Sequence, residues 1–182
     1  VKKLIRTVAL SKTYRLSSAR GEQREDPENR LLAHMNHRRL DAEAIRDTML
    51  SVSGTLNLEM GGATFASTLK TDVDFQFEAP RRSVYVPVFR SSLPELFEVF
   101  DFANSSLVTG RRDISTVAPQ ALFMMNHPFV RAQAKLTAER LLGDSQPKEA
   151  QRIDHAYLRI LGRHATAAEI TLSQEFLKSV VD

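Results

Sequence analysis

Two arginine pairs, Arg81/Arg82 and Arg111/Arg112, are the residues of this sequence best equipped for chemistry. The second pair follows Gly110 in Thr109-Gly110-Arg111-Arg112-Asp113. A glycine there permits a tight turn that brings backbone N–H groups forward. Two guanidiniums beside it can grip phosphate, sulfate or a carboxylate bidentately. Arg81, Arg82, Gly110, Arg111 and Arg112 are therefore the candidate ligand-binding residues. The same residues also have a structural reading. Asp72, Asp74 and Glu78 lie near the first pair, and Asp101 and Asp113 near the second. Each pair borders a short or irregular segment, whose carbonyls need donors that a guanidinium fork supplies. That setting favours arginines that tie the segments to the fold.

The remaining candidates are thinner. Glu43 and Asp47 stand four apart, a spacing that puts two carboxylates on one helix face. Arg39 and Arg46 offer them simple charge partners. His34 and His37 are three apart, without an evident third ligand, so no metal site is expected. The Met124/Met125 pair lacks a CxxCH haem attachment, and no cofactor is expected. The glycines form neither a phosphate loop nor a dinucleotide fingerprint. Serines and histidines give no nucleophile, base and orienter in order. No catalytic residue is assigned.

The chain has 182 residues, 42% hydrophobic and 26% charged, which is globular composition and enough to bury a core. Net charge is +3. Residues 1–60 hold 11 basic and 8 acidic groups, and residues 143–182 hold 5 and 6. With the charges so mixed, no basic arm or face is expected, and nucleic-acid binding is disfavoured. There is no cysteine, which excludes disulfides and thiolate chemistry. No apolar run is long enough for a membrane helix. The chain opens at Val1 inside a helical pattern, and we expect a piece of a longer protein.

The elements that must position these residues read mainly as helices. Val1, Leu4, Ile5 and Val8 have helical spacing. Asp26-Pro27 predicts a helix to about Asn36, and Asp41 one over 42–53 with Gly54 as its left-handed stop. Ala42, Ile45, Met49 and Val52 form the expected buried stripe of the latter. Period-two alternation in 72–78 and again in 83–89 predicts a small two-stranded β element. Ser92 and Glu95 predict a capped helix ending near Asp101-Phe102. A short, all-apolar helix from about Thr116, carrying Met124 and Met125, is expected inside the fold. Pro128 starts a helix to about Leu142, with Val130, Ala134, Ala138 and Leu141 inward. Pro147 starts another. Thr166 and Glu169 box the last helix, with Leu172, Phe176, Leu177 and Val180 inward. The fold class is mainly α, an irregular helical domain with a small two-stranded β element. We read it as one domain over 1–182: N-terminal helices in 1–60, a strand and loop region in 61–127, and a helical bundle in 128–182.

Long motifs along this chain carry a resemblance. They are Asp26-Pro-Glu-Asn-Arg-Leu-Leu32, Asn36-His-Arg-Arg-Leu-Asp-Ala-Glu-Ala-Ile-Arg-Asp47, Met60-Gly-Gly62 and Arg81-Arg-Ser-Val-Tyr-Val-Pro87. Phe100-Asp-Phe102, Thr109-Gly-Arg-Arg112, Pro119-Gln-Ala-Leu-Phe123 with Asn126, Ala156-Tyr157, Leu161-Gly-Arg163 and Glu169 follow in order. The chain resembles the DUF1553, or PSD1, family, a C-terminal domain of large planctomycete proteins. The resemblance implies an exported, extracytoplasmic, multidomain protein. The implied partners are neighbouring domains of the same chain: a DUF1549 domain, a planctomycete-type cytochrome c module and, in some members, carbohydrate-associated modules. It implies no catalytic residues, and any haem would lie outside this chain. The family usually has prolines after Arg163, where His164 and Ala165 stand here. The expected function is a non-catalytic assembly or scaffold domain; the alternative is part of an enzyme acting on glycans or sulfated glycans.

Overall fold

The computed structural model describes residues 1–18, 26, 28–65, 69–71, 75, 77–89, 92–143 and 148–181. The chain divides into two units, Val1–Arg39 and Leu40–Asp182.

Among its described residues the first unit holds one helix, α1 (Lys2–Ala9), followed by turns. Every residue of α1 is exposed, including Leu4, Ile5 and Val8. The helix expected from Asp26 to Asn36 does not form. Asn29 and Leu32 take left-handed backbone angles, φ 52° and 54°, which an α-helix cannot contain. The Asp26 carboxylate accepts the N–H groups of Arg30 at 2.9 Å and Leu31 at 2.7 Å, four and five residues on, so it closes a loop rather than capping a first turn. Those bonds, that of Leu31 first, hold its pKa below the ordinary aspartate value. Buried Asn29 centres the loop: its amide donates to the His34 carbonyl and to Asn36 Oδ1 at 2.9 Å.

The second unit is built on α2 (Ala42–Ser53), α3 (Glu95–Val99), α4 (Ala118–Asn126), α5 (Pro128–Gly143), α6 (Glu149–Leu161) and α7 (Ala167–Val181). Helix α2 lies against α3 and along α5, and α5, α6 and α7 pack in succession. The core joins Ala42, Val86, Leu96, Phe97, Phe100 and Phe123. Phe97, fully buried, stacks on Phe102 at 4.8 Å, and Phe100 meets Phe123 edge-on at 6.0 Å. Such pairs add roughly 0.5–1.5 kcal/mol beyond their buried area.

Several expectations change. Among the described residues no strand forms; one isolated parallel bridge joins Asn57 and Arg81. Residues 83–85 make a 3-10 turn, with Val84 exposed and Val86 buried, so the alternating run is not a strand. Side chains of α2 occupy the backbone groups of 79–83 that a ladder would need. Residues 72–74 and 76 of the other run lie outside the described residues. Ser92 does not cap α3; its hydroxyl donates to the Phe75 carbonyl, and Pro94 precedes the helix. On α4, Phe123 and Gln120 are buried, whereas Leu122 and Met125 face solvent. The inner side of α5 carries buried Thr137 with half-buried Gln133, not Ala134 and Ala138. Gln133 Oε1 accepts the hydroxyls of Ser53 at 2.7 Å and Thr55 at 3.1 Å, so α2 and α5 meet through polar side chains.

The ends of α2 and α7 follow the expected chemistry. Gly54 stops α2 at φ 83°. Arg140 of α5 donates to the Val52 carbonyl at 3.2 Å, and a β-carbon at position 54 would fall 2.8 Å from its Nη1. Before α7, Glu169 accepts the Thr166 N–H at 2.8 Å and Glu169 N–H donates back to the Thr166 hydroxyl at 3.3 Å. Arg163 adds a bidentate pair to Glu169 at 2.7 and 2.9 Å. The Arg163 fork, then the Thr166 N–H, lower the Glu169 pKa from 4.5 to about 2. A depressed carboxylate stabilises the fold above its unfolded pKa and loses that contribution as pH falls through the folded one. The melting temperature of the wild type should therefore exceed that of Glu169→Gln by a constant margin above pH 4.5, and the margin should vanish on approach to pH 2; thermal melts across that range check it.

Candidate functional site

The centre of the second unit is α2, and its most buried stripe is Ala42, Arg46, Leu50 and Ser53. Arg46, 7% exposed, sits where the spacing calls for an apolar side chain. It donates from Nη1 to the Arg81 carbonyl at 2.7 Å and from Nη2 to the Ala79 carbonyl at 2.8 Å, and lies 5.4 Å from the Phe77 ring centre. Burial lowers its pKa and the Asp47 charge partly restores it. Asp47 Oδ1 accepts both the N–H and the hydroxyl of Ser83 at 2.7 Å. Adjacent residues of one helix thus hold the backbone of 79–83.

That anchored segment aims Arg81. Its guanidinium donates to the carbonyls of Glu59, Gly61 and Ala63 and lies 3.9 Å from the centre of the Tyr85 ring. The Tyr85 hydroxyl accepts the Gly61 N–H at 2.8 Å, and Asn57 N–H donates to the Pro80 carbonyl at 2.8 Å. Gly61 and Gly62, at φ 82° and 78°, let the 59–63 loop curl around the guanidinium. Arg82, its neighbour, is exposed.

The second pair divides the same way. Arg112 does not pair with Asp101 or Asp113. It forms a fork with Glu43 of α2, at 2.7 and 2.8 Å, over the Phe102 ring. Burial raises the Glu43 pKa, but the Arg112 hydrogen bonds, the Glu43 backbone N–H and the Arg112 charge together outweigh it, and the net direction is down. Asp101, at φ 58°, accepts the Ser115 N–H and hydroxyl, both at 2.8 Å. Gln120 donates to the Val99 carbonyl at 3.0 Å and to Ser115 at 3.2 Å, closing the loop that carries Gly110. Arg111 and Gly110 are exposed, and no side chain meets the space above Gly110 within 4 Å. Each pair therefore has one internal arginine, Arg81 or Arg112, and one that faces water. Of the acids expected near the first pair, Asp72 and Asp74 lie outside the described residues. The sequence offers Arg46 as a charge partner, and it does lie 3.8 Å from Asp47; its hold on two carbonyls was missed, and the signal was its place in the 42, 46, 50 repeat.

A separate open cleft of about 420 Å³ lies along α6, over Ala150, Leu158 and Ile170, and none of the four arginines lines it. At its edge Asp154 holds His164 Nδ1 at 2.9 Å and accepts the Ala165 N–H at 2.8 Å. His164 first, then Ala165, lower the Asp154 pKa. An aspartate so placed orients an imidazole as it does in a general base, yet the lining holds no serine, threonine or cysteine to activate. Among the described residues no group of three His, Asp or Glu is arranged to hold a metal ion, and no helix is long and apolar enough to cross a membrane.

What the second unit defines is a helical module in which Glu43, Arg46 and Asp47 hold irregular segments to α2. The chain belongs to the family PSD1, described as a protein of unknown function (DUF1553), whose model matches residues 1–177. Comparison with curated proteins and with solved structures finds no match.

The division of the arginines has a measurable consequence. Arg46→Ala leaves two half-buried carbonyls without their donor, each at about 1 kcal/mol, the low end of the range for a buried acceptor, and Arg46→Lys should restore at most one of them because lysine has no fork. Arg82→Ala and Arg111→Ala, both at exposed positions, should stay within about 0.5 kcal/mol of wild type. Urea unfolding of the four variants checks the ranking.

Proposed function

We propose that this domain is a non-catalytic assembly module of a larger exported protein, one that docks onto neighbouring domains through apolar helix faces. The observation that carries the reading is the outer side of α7. Leu172, Phe176 and Val180 recur every four residues and are 67%, 65% and 66% exposed. The helix was expected to bury them; instead α7 turns half-buried Ile170, Ser173 and Gln174 inward. Contiguous apolar surface of this kind marks an interaction site. Covering three such side chains supplies about 1.5–3 kcal/mol each. The same imbalance runs through the chain: among the described residues eight apolar side chains are buried and thirty large ones are exposed.

The alternative, part of an enzyme acting on glycans or sulfated glycans, draws support from exposed Arg82 and Arg111 and from the His164 cleft. Its weakness is that the arginines and the cleft are separate. A sulfated oligosaccharide that binds the wild type and not the Arg82→Ala, Arg111→Ala double variant would favour it.

For the assembly reading, Phe176→Glu and Leu172→Glu should leave the unfolding midpoint of the isolated chain within about 0.5 kcal/mol of wild type and reduce its binding of an apolar dye. Hydrogen exchange over 172–180 should be slower in the longer natural protein than in the isolated chain. Equal exchange in both, or a large loss of stability in either variant, contradicts docking through this face.

A further inference from the structure

We infer that α1 is a second docking element, and that its partner is a protein groove with an apolar floor and acidic rims. This rests on the assembly reading but on a different face, in the other unit. Within α1, Leu4, Ile5 and Val8 share one side with Val1, while Lys2, Lys3 and Arg6 take the other. All are exposed. Residues 1–18 carry five basic groups, Lys2, Lys3, Arg6, Lys12 and Arg15, and no acidic one. This is the basic face that overall composition concealed, because the acids of the first third all come later.

The charge pattern selects the occupant. Lys2 and Arg6 are four apart and Lys3 and Arg6 three apart, so like charges meet on the helix surface with no carboxylate between them. Among the described residues of the unit, nothing covers its apolar side. A partner that supplies an apolar floor relieves one defect, and carboxylates on its rims relieve the other. Helix-in-groove recognition uses this combination, with anchors at i, i+3, i+4 and i+7; Val1, Leu4, Ile5 and Val8 have that spacing. A nucleic-acid backbone would leave the four aliphatic side chains unused. An anionic bilayer would use both faces as well, and the vesicle arm of the test separates it from a protein groove.

The probe is calcium-loaded calmodulin, an acidic protein with an apolar groove that accepts basic amphipathic helices. The full 182-residue chain should bind it saturably with Kd on the order of micromolar at low salt, and more weakly at about 0.3 M salt because the rim charges are screened. Leu4→Asp, and separately Lys2→Glu with Arg6→Glu, should each weaken binding at least about tenfold. Phe176→Glu should leave it unchanged, so failure here is separable from failure of the α7 reading. Equal melting temperatures of the α1 variants and wild type would confirm that only the face was altered; if they unfold, protection of α1 amides in wild type on adding calmodulin decides instead. No binding at about 100 μM, or binding indifferent to Leu4→Asp, overturns the proposal. So does binding to phosphatidylglycerol vesicles in place of calmodulin, or a Leu4-dependent dimer in sedimentation, which would assign the face to lipid or to a second copy.

Discussion

Irregular backbone cannot be buried unless something donates to its carbonyls, and Arg46 meets that constraint here. Residues 79–83 form no ladder: the Pro80, Arg82 and Ser83 oxygens accept backbone N–H groups, which leaves those of Ala79 and Arg81 to a side chain. One guanidinium rooted in α2 donates to both, and the next residue, Asp47, takes the Ser83 N–H. A lysine could not span both carbonyls, and an apolar residue could reach neither. Once that segment is held, Arg81 is aimed into the 59–63 loop and Tyr85 over it. The order is hierarchical: a helix fixes a segment, and the segment fixes a second loop through a second arginine.

The same economy governs the far side of α2. Glu43 receives Arg112 from the 104–116 loop, and Gln133 receives Ser53 and Thr55 at the other end. Four positions on one twelve-residue helix thus make directional contacts to segments distant in sequence. The apolar core, by contrast, is small and concentrated in phenylalanines near α3 and α4. Specific hydrogen bonds carry much of the positioning that a larger core would otherwise provide.

Two helix ends were legible because their chemistry is local, whereas Asp26 and Ser92, of the same capping type, spend their side chains on loop backbone. Gly54 stops α2 and Thr166 with Glu169 starts α7, each through groups within a few residues. The family, too, was readable, since its motifs are long and ordered along the chain. Inner faces were not. Periodicity names an apolar stripe, but α2 buries Arg46, α5 buries Thr137, and α7 leaves Phe176 outside, because what each helix packs against is set by tertiary neighbours. The alternating run at 83–89 misled for a related reason: Arg46 and Asp47, far away in sequence, had claimed the backbone groups of the preceding turn. The four candidate arginines stand in the sequence as one set with two readings, and only the structure separates Arg81 and Arg112, which hold segments of the fold, from exposed Arg82 and Arg111.

The stop of α2 also links two helices through a single point of space. Arg140 crosses from α5 to reach the Val52 carbonyl, and it passes over Gly54 so closely that a β-carbon fits there only if the guanidinium moves aside. Position 54 therefore needs glycine twice, once for its left-handed angle and once for the arginine above it. The second requirement disappears if residue 140 shortens. The first does not: the left-handed angle holds position 54 to glycine whichever residue stands at 140.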